Sequence, residues 1–510
     1  MSVNDTTRRK FLQTSTESIA AVTTGLACMS RLPRVSAHDA RLQPDLVRLD
    51  DQIEPLVRLI EESPREKLLE RIGEVIRTGR SYREILAALL LAGIRNVQPR
   101  PSVGFKFHCV LVVNACHLAS LSGPDEDRWL PIFWALDYFK SSQADEARRT
   151  GWRMPPVNES LIPDAIHARR MFIDAMDHWD VEKADTATAG LVRSAGATEV
   201  FNLFATYAAR DYRSIGHKVI FLANAWRTLQ VIGWKFAEPV MRSLAFAMLN
   251  HNGEPNPSKS DLDVDRPWRE NAELIQSIPK DWIDGKRDDG LGTDLCSAFR
   301  KQTAKDATAI AVDGLSNGIG PQSVWDGVFA GSGELLMRQP GIIGLHGLTT
   351  ANAMHFVWRH VRDDRLRRQL LLQACSFNPM FRQSAKDRGP LANHSVKSLQ
   401  PIECDHSGTE AIEEIMAEIS KNRMLAAQKS LGFLTSGGNP HELISAARRL
   451  LFSKGRDAHD YKYSSAVLED FGHVGPAWRE RFLAMSVFNL KGSGDRDSGL
   501  LTRTQAALKG

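Results

Sequence analysis

An all-α fold, one large multi-helix bundle-like domain, is what this 510-residue sequence predicts. Three observations support it. From Asp51 onward apolar residues recur at helical spacing almost throughout. Strand-like alternation is nearly absent, and dipeptides typical of β-hairpin turns are few. The composition, 43% hydrophobic and 25% charged, is that of an ordinary globular chain and favours neither a disordered nor a membrane-embedded class. A chain of this length can bury a large core.

Residues 1–37 read as a leader. Thr7-Arg8-Arg9-Lys10-Phe11-Leu12-Gln13 fits the twin-arginine signal pattern, an apolar stretch runs from Ile19 to Met29, and Val35-Ser36-Ala37 is a small-residue cleavage site. The expected partner is the twin-arginine translocation machinery, and the expected location is periplasmic or otherwise extracytoplasmic. That route carries folded proteins, often with a cofactor already loaded, which hints at a metal. The apolar run is too short to cross a bilayer, and no later segment has the length, so no transmembrane segment is expected. The leader holds Arg8, Arg9, Lys10, Arg31 and Arg34 against Asp5 and Glu17, whereas the whole chain is only +4. Much of the basic character therefore belongs to the leader, and no nucleic-acid partner is expected. Cys109, Cys116, Cys296, Cys375 and Cys404 remain after cleavage, with neither disulfide-framework nor zinc-finger spacing. Most of them are expected to be core thiols.

Residues 38–50 read as a linker, and 51–490 as the helical domain. Helices are expected over Ile53–Glu61, Pro64–Thr78 and Ser81–Asn96, the last with a serine cap. Pro99, Pro101 and Gly104 break the run. Phe105–Leu121 is apolar all round, which makes His108 costly to bury without partners and hence a candidate ligand. His117, about 180° around the same helix, is expected to be structural. Trp129–Lys140 presents an aromatic face, either core packing or a wall for a flat substrate. Ile162–Asp177 and Thr198–Ala209 are amphipathic, with His167 and His178 at the surface. In Ile215–Gly233 the residues His217, Phe221, Asn224 and Thr228 share one face, turned either to a pocket or to solvent.

Residues 252–268 form the strongest composition break, a linker between domains or a lid. Asp284–Gly292 is a second polar loop, and Thr293–Asp313 is expected as one helix. The glycine-rich stretch after it makes no dinucleotide fingerprint and suits close helix packing. In Gly341–His360, His346, Thr350 and Ala353 share a face with room for a ligand, while His355 and His360 are expected to be structural. Residues 383–407 read as irregular, and His406, at the start of a helix over Ser407–Arg423, is a reserve ligand. Helices follow at His441–Phe452 and Ala477–Leu490, and residues 491–510 read as a frayed polar tail.

The helix beginning near Asp457 carries His459 and Lys462 on one face. The pair is either a capped surface helix with a solvated lysine or part of a metal site. A lysine beside an imidazole ligates only without its charge. Carbamylated by CO2 it becomes a carboxylate-like ligand, giving a nitrogen and oxygen set suited to iron, manganese or zinc.

Together, Phe-x-x-His at His108, Gly-His at His217, Leu-His-x-x-Thr-x-x-x-Ala at His346 and Asp-x-His-x-x-Lys at His459 and Lys462 resemble the questin oxidase-like family. The resemblance spans most of residues 80–470, loosely between motifs. It implies a helical non-haem iron oxygenase in which His108, His217, His346, His459 and a carbamylated Lys462 hold the metal and an aromatic or flat organic small molecule is the substrate. The sequence departs from the family at Cys109, Val110 and Val113, where further histidines are expected, and at Lys218, where proline is expected. Two other functions remain open: a hydrolase using zinc, nickel or manganese in the same pocket, and a non-enzymatic helical binding or scaffold protein.

Overall fold

The computed structural model describes residues 53–99, 107–249, 254–257 and 259–508. The signal peptide and linker expected within 1–50 lie outside the described residues. Among those described, the chain is 75% helical, with 22 α-helices and no strand. None of these helices is long and apolar enough to cross a membrane.

Local sequence sets most boundaries. The first helices are Ile53–Glu62, Arg65–Arg77 and Tyr82–Asn96. The third opens on a reciprocal cap, in which Ser81 Oγ accepts from the Glu84 amide and the Glu84 carboxylate accepts from the Ser81 amide. The same device corrects the expectation of one helix over Thr293–Asp313. Thr303 and Asp306 form a capping box that begins a new helix, so the stretch divides into Asp289–Lys301 and Ala304–Ser316. Likewise Asn422 accepts from the Leu425 amide and starts Arg423–Thr435, separating it from Gly408–Ile419. The segment expected to be irregular from 383 is helical up to Lys386 as part of Asp364–Lys386.

One further expectation is corrected by packing. The tail holds a helix, Gly499–Leu508, with Leu500 and Leu508 buried and Arg503 paired to Asp137. Its Nη2 also donates to the Arg65 carbonyl at 3.1 Å. The described part of 252–268 is bonded onto the body: Tyr212 donates its amide to Val264 O, Asn256 Nδ2 donates to Asp177 O, and Asp265 is buried against Arg213.

One apolar cluster runs from Leu56 to Leu508, with a smaller one around Tyr212, Phe377 and Phe381. The aromatic face at 129–140 is part of this core, where Trp134 lies between Tyr138 and Tyr461, ring centroids 4.9 and 4.4 Å away. The glycines of Pro321–Arg338 permit close helix contact. A Cβ at Gly331 would stand 2.5 Å from the Phe299 ring, and one at Gly327 would stand 2.9 Å from Leu295 Cβ. Four helices at the centre matter most: His108–Ser122, His217–Ile232, Ile342–His360 and Ala458–Asp470. The first packs on the second and fourth, and the third also packs on the second and fourth, which closes a ring of four.

Candidate metal centre

Each of the four helices brings one histidine to the centre from its N-terminal end. His108 and His217 are the first residues of their helices, His346 stands one turn into its own, and His459 lies next to the start of the last. His217 Nε2 stands 3.1 Å from His108 Nε2 and 3.1 Å from His346 Nε2. Ring nitrogens of His108, His346 and His459 all lie within 4.8 Å of one another. The His459 ring centroid is 4.4 Å from that of His108 and 5.1 Å from that of His346.

Hydrogen bonds on the far sides orient three of the rings. His217 Nδ1 is 2.6 Å from Ser214 O, and His346 Nδ1 is 2.7 Å from Ile342 O. A carbonyl oxygen only accepts, so each Nδ1 carries the proton and each Nε2 presents a lone pair inward. His459 Nδ1 lies 2.5 Å from Asp457 Oδ1, and its Nε2 is buried with no partner. Outer partners of this kind fix the tautomer and raise the basicity of a metal-binding imidazole. Asp457 is also the N-cap of its helix. Burial is the largest single influence on its carboxyl and would raise it, but the hydrogen bonds from the His459 ring and amide, together with the nearby Lys462, outweigh that and hold it below its ordinary range.

Burial is the main cause that drives the His108, His217 and His346 imidazoles well below their ordinary value, and the Lys462 charge adds to it. Protonation therefore does not fill the space between the facing lone pairs. Metal–nitrogen bonds of about 2 Å at right angles place two nitrogens roughly 3 Å apart, which is the spacing found. The buried triad His108, His346 and His459 can hold a metal ion, with His217 against two of its members.

Lys462 is buried one turn beyond His459, and its Nζ has no hydrogen-bond partner. Burial pulls its amine down to about 7, with Asp457 opposing. The solvated-lysine alternative therefore does not describe this residue. His406 does not reach the centre: it is exposed and lies 3.2 Å from Glu414. His117 bonds to Tyr82 at 3.0 Å, His355 packs on Trp325 and His473, and His360 Nδ1 meets Phe356 O.

The polar face of the His217 helix turns inward. Asn224 Nδ2 donates to Leu111 O at 2.9 Å and its Oδ1 accepts from Asn114, which ties this helix to the His108 helix. At the other end Arg227 and Asn352 both donate to Glu469, and Asn352 donates to Asp470 as well. These ties join all four ligand-bearing helices. They went unread in the sequence because an isolated Asn or Glu has no periodic signature. The Asp457 role was half visible, since its position two residues before His459 reads equally as a helix cap. No family model, curated protein or solved structure matches this chain.

Proposed function

We propose that this chain is a metal-dependent oxidoreductase, a non-haem iron oxygenase acting on an aromatic or similarly flat organic compound, exported by the twin-arginine route to the periplasm. The observation that carries this reading is the placement of His217 Nε2 3.1 Å from both His108 Nε2 and His346 Nε2. The resemblance of the ligand motifs to the questin oxidase-like family supports iron as the metal and oxygenation as the reaction.

His108, His217, His346 and His459 would hold the ion, with Lys462 beside them. Iron, when bound, supplies the redox chemistry that lets dioxygen react with an organic substrate. The chain's own residues supply the setting. Imidazole ligands contribute no negative charge, and an uncompensated dication in a dry interior is costly. Lys462 corrects this when its uncharged amine attacks CO2 and loses a proton, because the resulting carbamate is an anionic oxygen donor. Asp457 holds the His459 tautomer, and the Ser214 and Ile342 carbonyls hold those of His217 and His346. The enclosing helices exclude bulk water.

The test is metal analysis of protein recovered through its own export route, followed by oxygen uptake with flat aromatic substrates. One transition metal per chain and substrate-dependent oxygen consumption are expected. Turnover with zinc, nickel or manganese and no oxygen uptake would replace the oxygenase with a hydrolase. Turnover by metal-free protein would remove the metal altogether.

A further inference from the structure

The His217 helix has an unusual start. Ser214 and Ile215 both adopt left-handed backbone, with φ 57° and 45°, and Gly216 follows at φ 81°. Two consecutive non-glycine residues in this region are costly, the β-branched isoleucine especially. The helix gains no capping bond in return, because Gly216 offers no side chain. Instead the turn sends the Ser214 carbonyl to His217 Nδ1. It also brings Gly216 so close to the His346 helix that a Cβ there would stand 2.1 Å from Thr350 Oγ1.

A buried ionic clamp brackets the strained turn. Asp211 Oδ1 accepts the Arg213 amide at 3.0 Å, just before the turn. The same carboxylate accepts from Lys218 Nζ at 2.9 and 2.7 Å, just after it. Arg213 forms a fork with Asp265 and donates to Glu254 at 2.6 Å and to Pro255 O at 3.2 Å. Side chains of Asp211, Arg213, Lys218 and Asp265 are each at most 2% exposed. Trp179 covers both cations, its ring 5.5 Å from the Arg213 guanidinium and 5.9 Å from Lys218 Nζ. A buried ion network is weak evidence for stability but is well suited to selecting one conformation.

We infer that Asp211, acting through Arg213 and Lys218, is the positioning residue of the metal centre: it holds the strained Ser214–Gly216 turn that aims His217 Nε2 at His108 and His346. This rests on the metal reading above and adds to it the group that sets the geometry of one ligand. The segment carrying Glu254 and Asp265 thereby gains a role, because it closes the clamp from outside.

The experiment titrates cobalt(II) into metal-free protein and follows its visible absorption, with helicity recorded for each variant. The pair Asp211→Asn with Lys218→Met removes both charges together, so that neither is left buried alone. It is expected to weaken cobalt binding by about 10–100-fold, the range for lost outer supports. Adding Ile215→Gly, which adopts the left-handed turn without strain, should restore most of that affinity. A folded double variant that binds cobalt like the wild type overturns the clamp. So does a double variant, folded or not, whose binding Ile215→Gly fails to improve, since a clamp serving only general stability is not replaced by relieving one turn. Wild-type protein that binds no cobalt fails the metal reading itself, a separate outcome.

Discussion

His217 and His346 face each other through Nε2 atoms 3.1 Å apart while each gives its Nδ1 proton to a main-chain carbonyl. Two lone pairs at that distance repel unless a cation lies between them. Removing one ring removes a ligand, whereas removing an exposed histidine does not. His346→Ala is expected to lower bound metal by more than about tenfold, and His406→Ala to leave it unchanged, as read by metal analysis of the purified variants. Equal occupancy in His346→Ala and wild type would contradict the centre.

Lys462 should act through its oxygen-donor form. Lys462→Ala is expected to lose metal, with partial recovery in bicarbonate plus a short carboxylic acid that fills the vacated volume. Lys462→Arg should not recover, because guanidinium stays charged and cannot ligate. Unchanged metal occupancy in Lys462→Ala would take the lysine out of the site and leave the histidines in it.

Two left-handed glycines separate strain from site geometry. At Gly79, φ is 106° and a Cβ would meet nothing within 4 Å, so Gly79→Ala should cost only about 1–2 kcal/mol of backbone strain. At Gly216 the same change adds a collision with Thr350 Oγ1. Gly216→Ala should lower both the melting temperature and metal affinity, whereas Gly79→Ala should lower only the first.

Asp470 sets a pH dependence. Burial first, and the neighbouring Glu469 charge second, raise its carboxyl well above the ordinary value, against the Asn352 hydrogen bond. The folded state therefore holds this proton at pH values where the unfolded chain has released it. Stability lost in this way begins as pH rises past about 4 and grows by roughly 1.4 kcal/mol per pH unit until the folded group itself ionises. Asp470→Asn keeps an oxygen for Asn352 and carries no such penalty. It should be more stable than wild type in urea at pH 7, with the advantage vanishing near pH 4. A pH-independent difference would show that Asp470 is not held protonated.

Much of the architecture was legible from residue order alone. Helical periodicity marked most of the helices, and local chemistry marked their ends where Ser81 and Asp457 act as caps. His108, His217 and His346 stood out because an ionisable group in an apolar helix calls for a partner, and His459 with Lys462 because a three-residue spacing puts them on one helix face. Periodicity tells which residues share a face, but not which helix that face meets. The His108 helix is apolar all round, so nothing in its own sequence decided which side would receive another ligand. Tertiary packing made that choice: it closed four helices into a ring, turned the Asn224 face inward, left His406 outside against Glu414, and docked the tail helix through Leu500 and Leu508. It also decided the state of Lys462, because the low value of its amine comes from burial by distant parts of the chain, and desolvation is a property of the assembled interior.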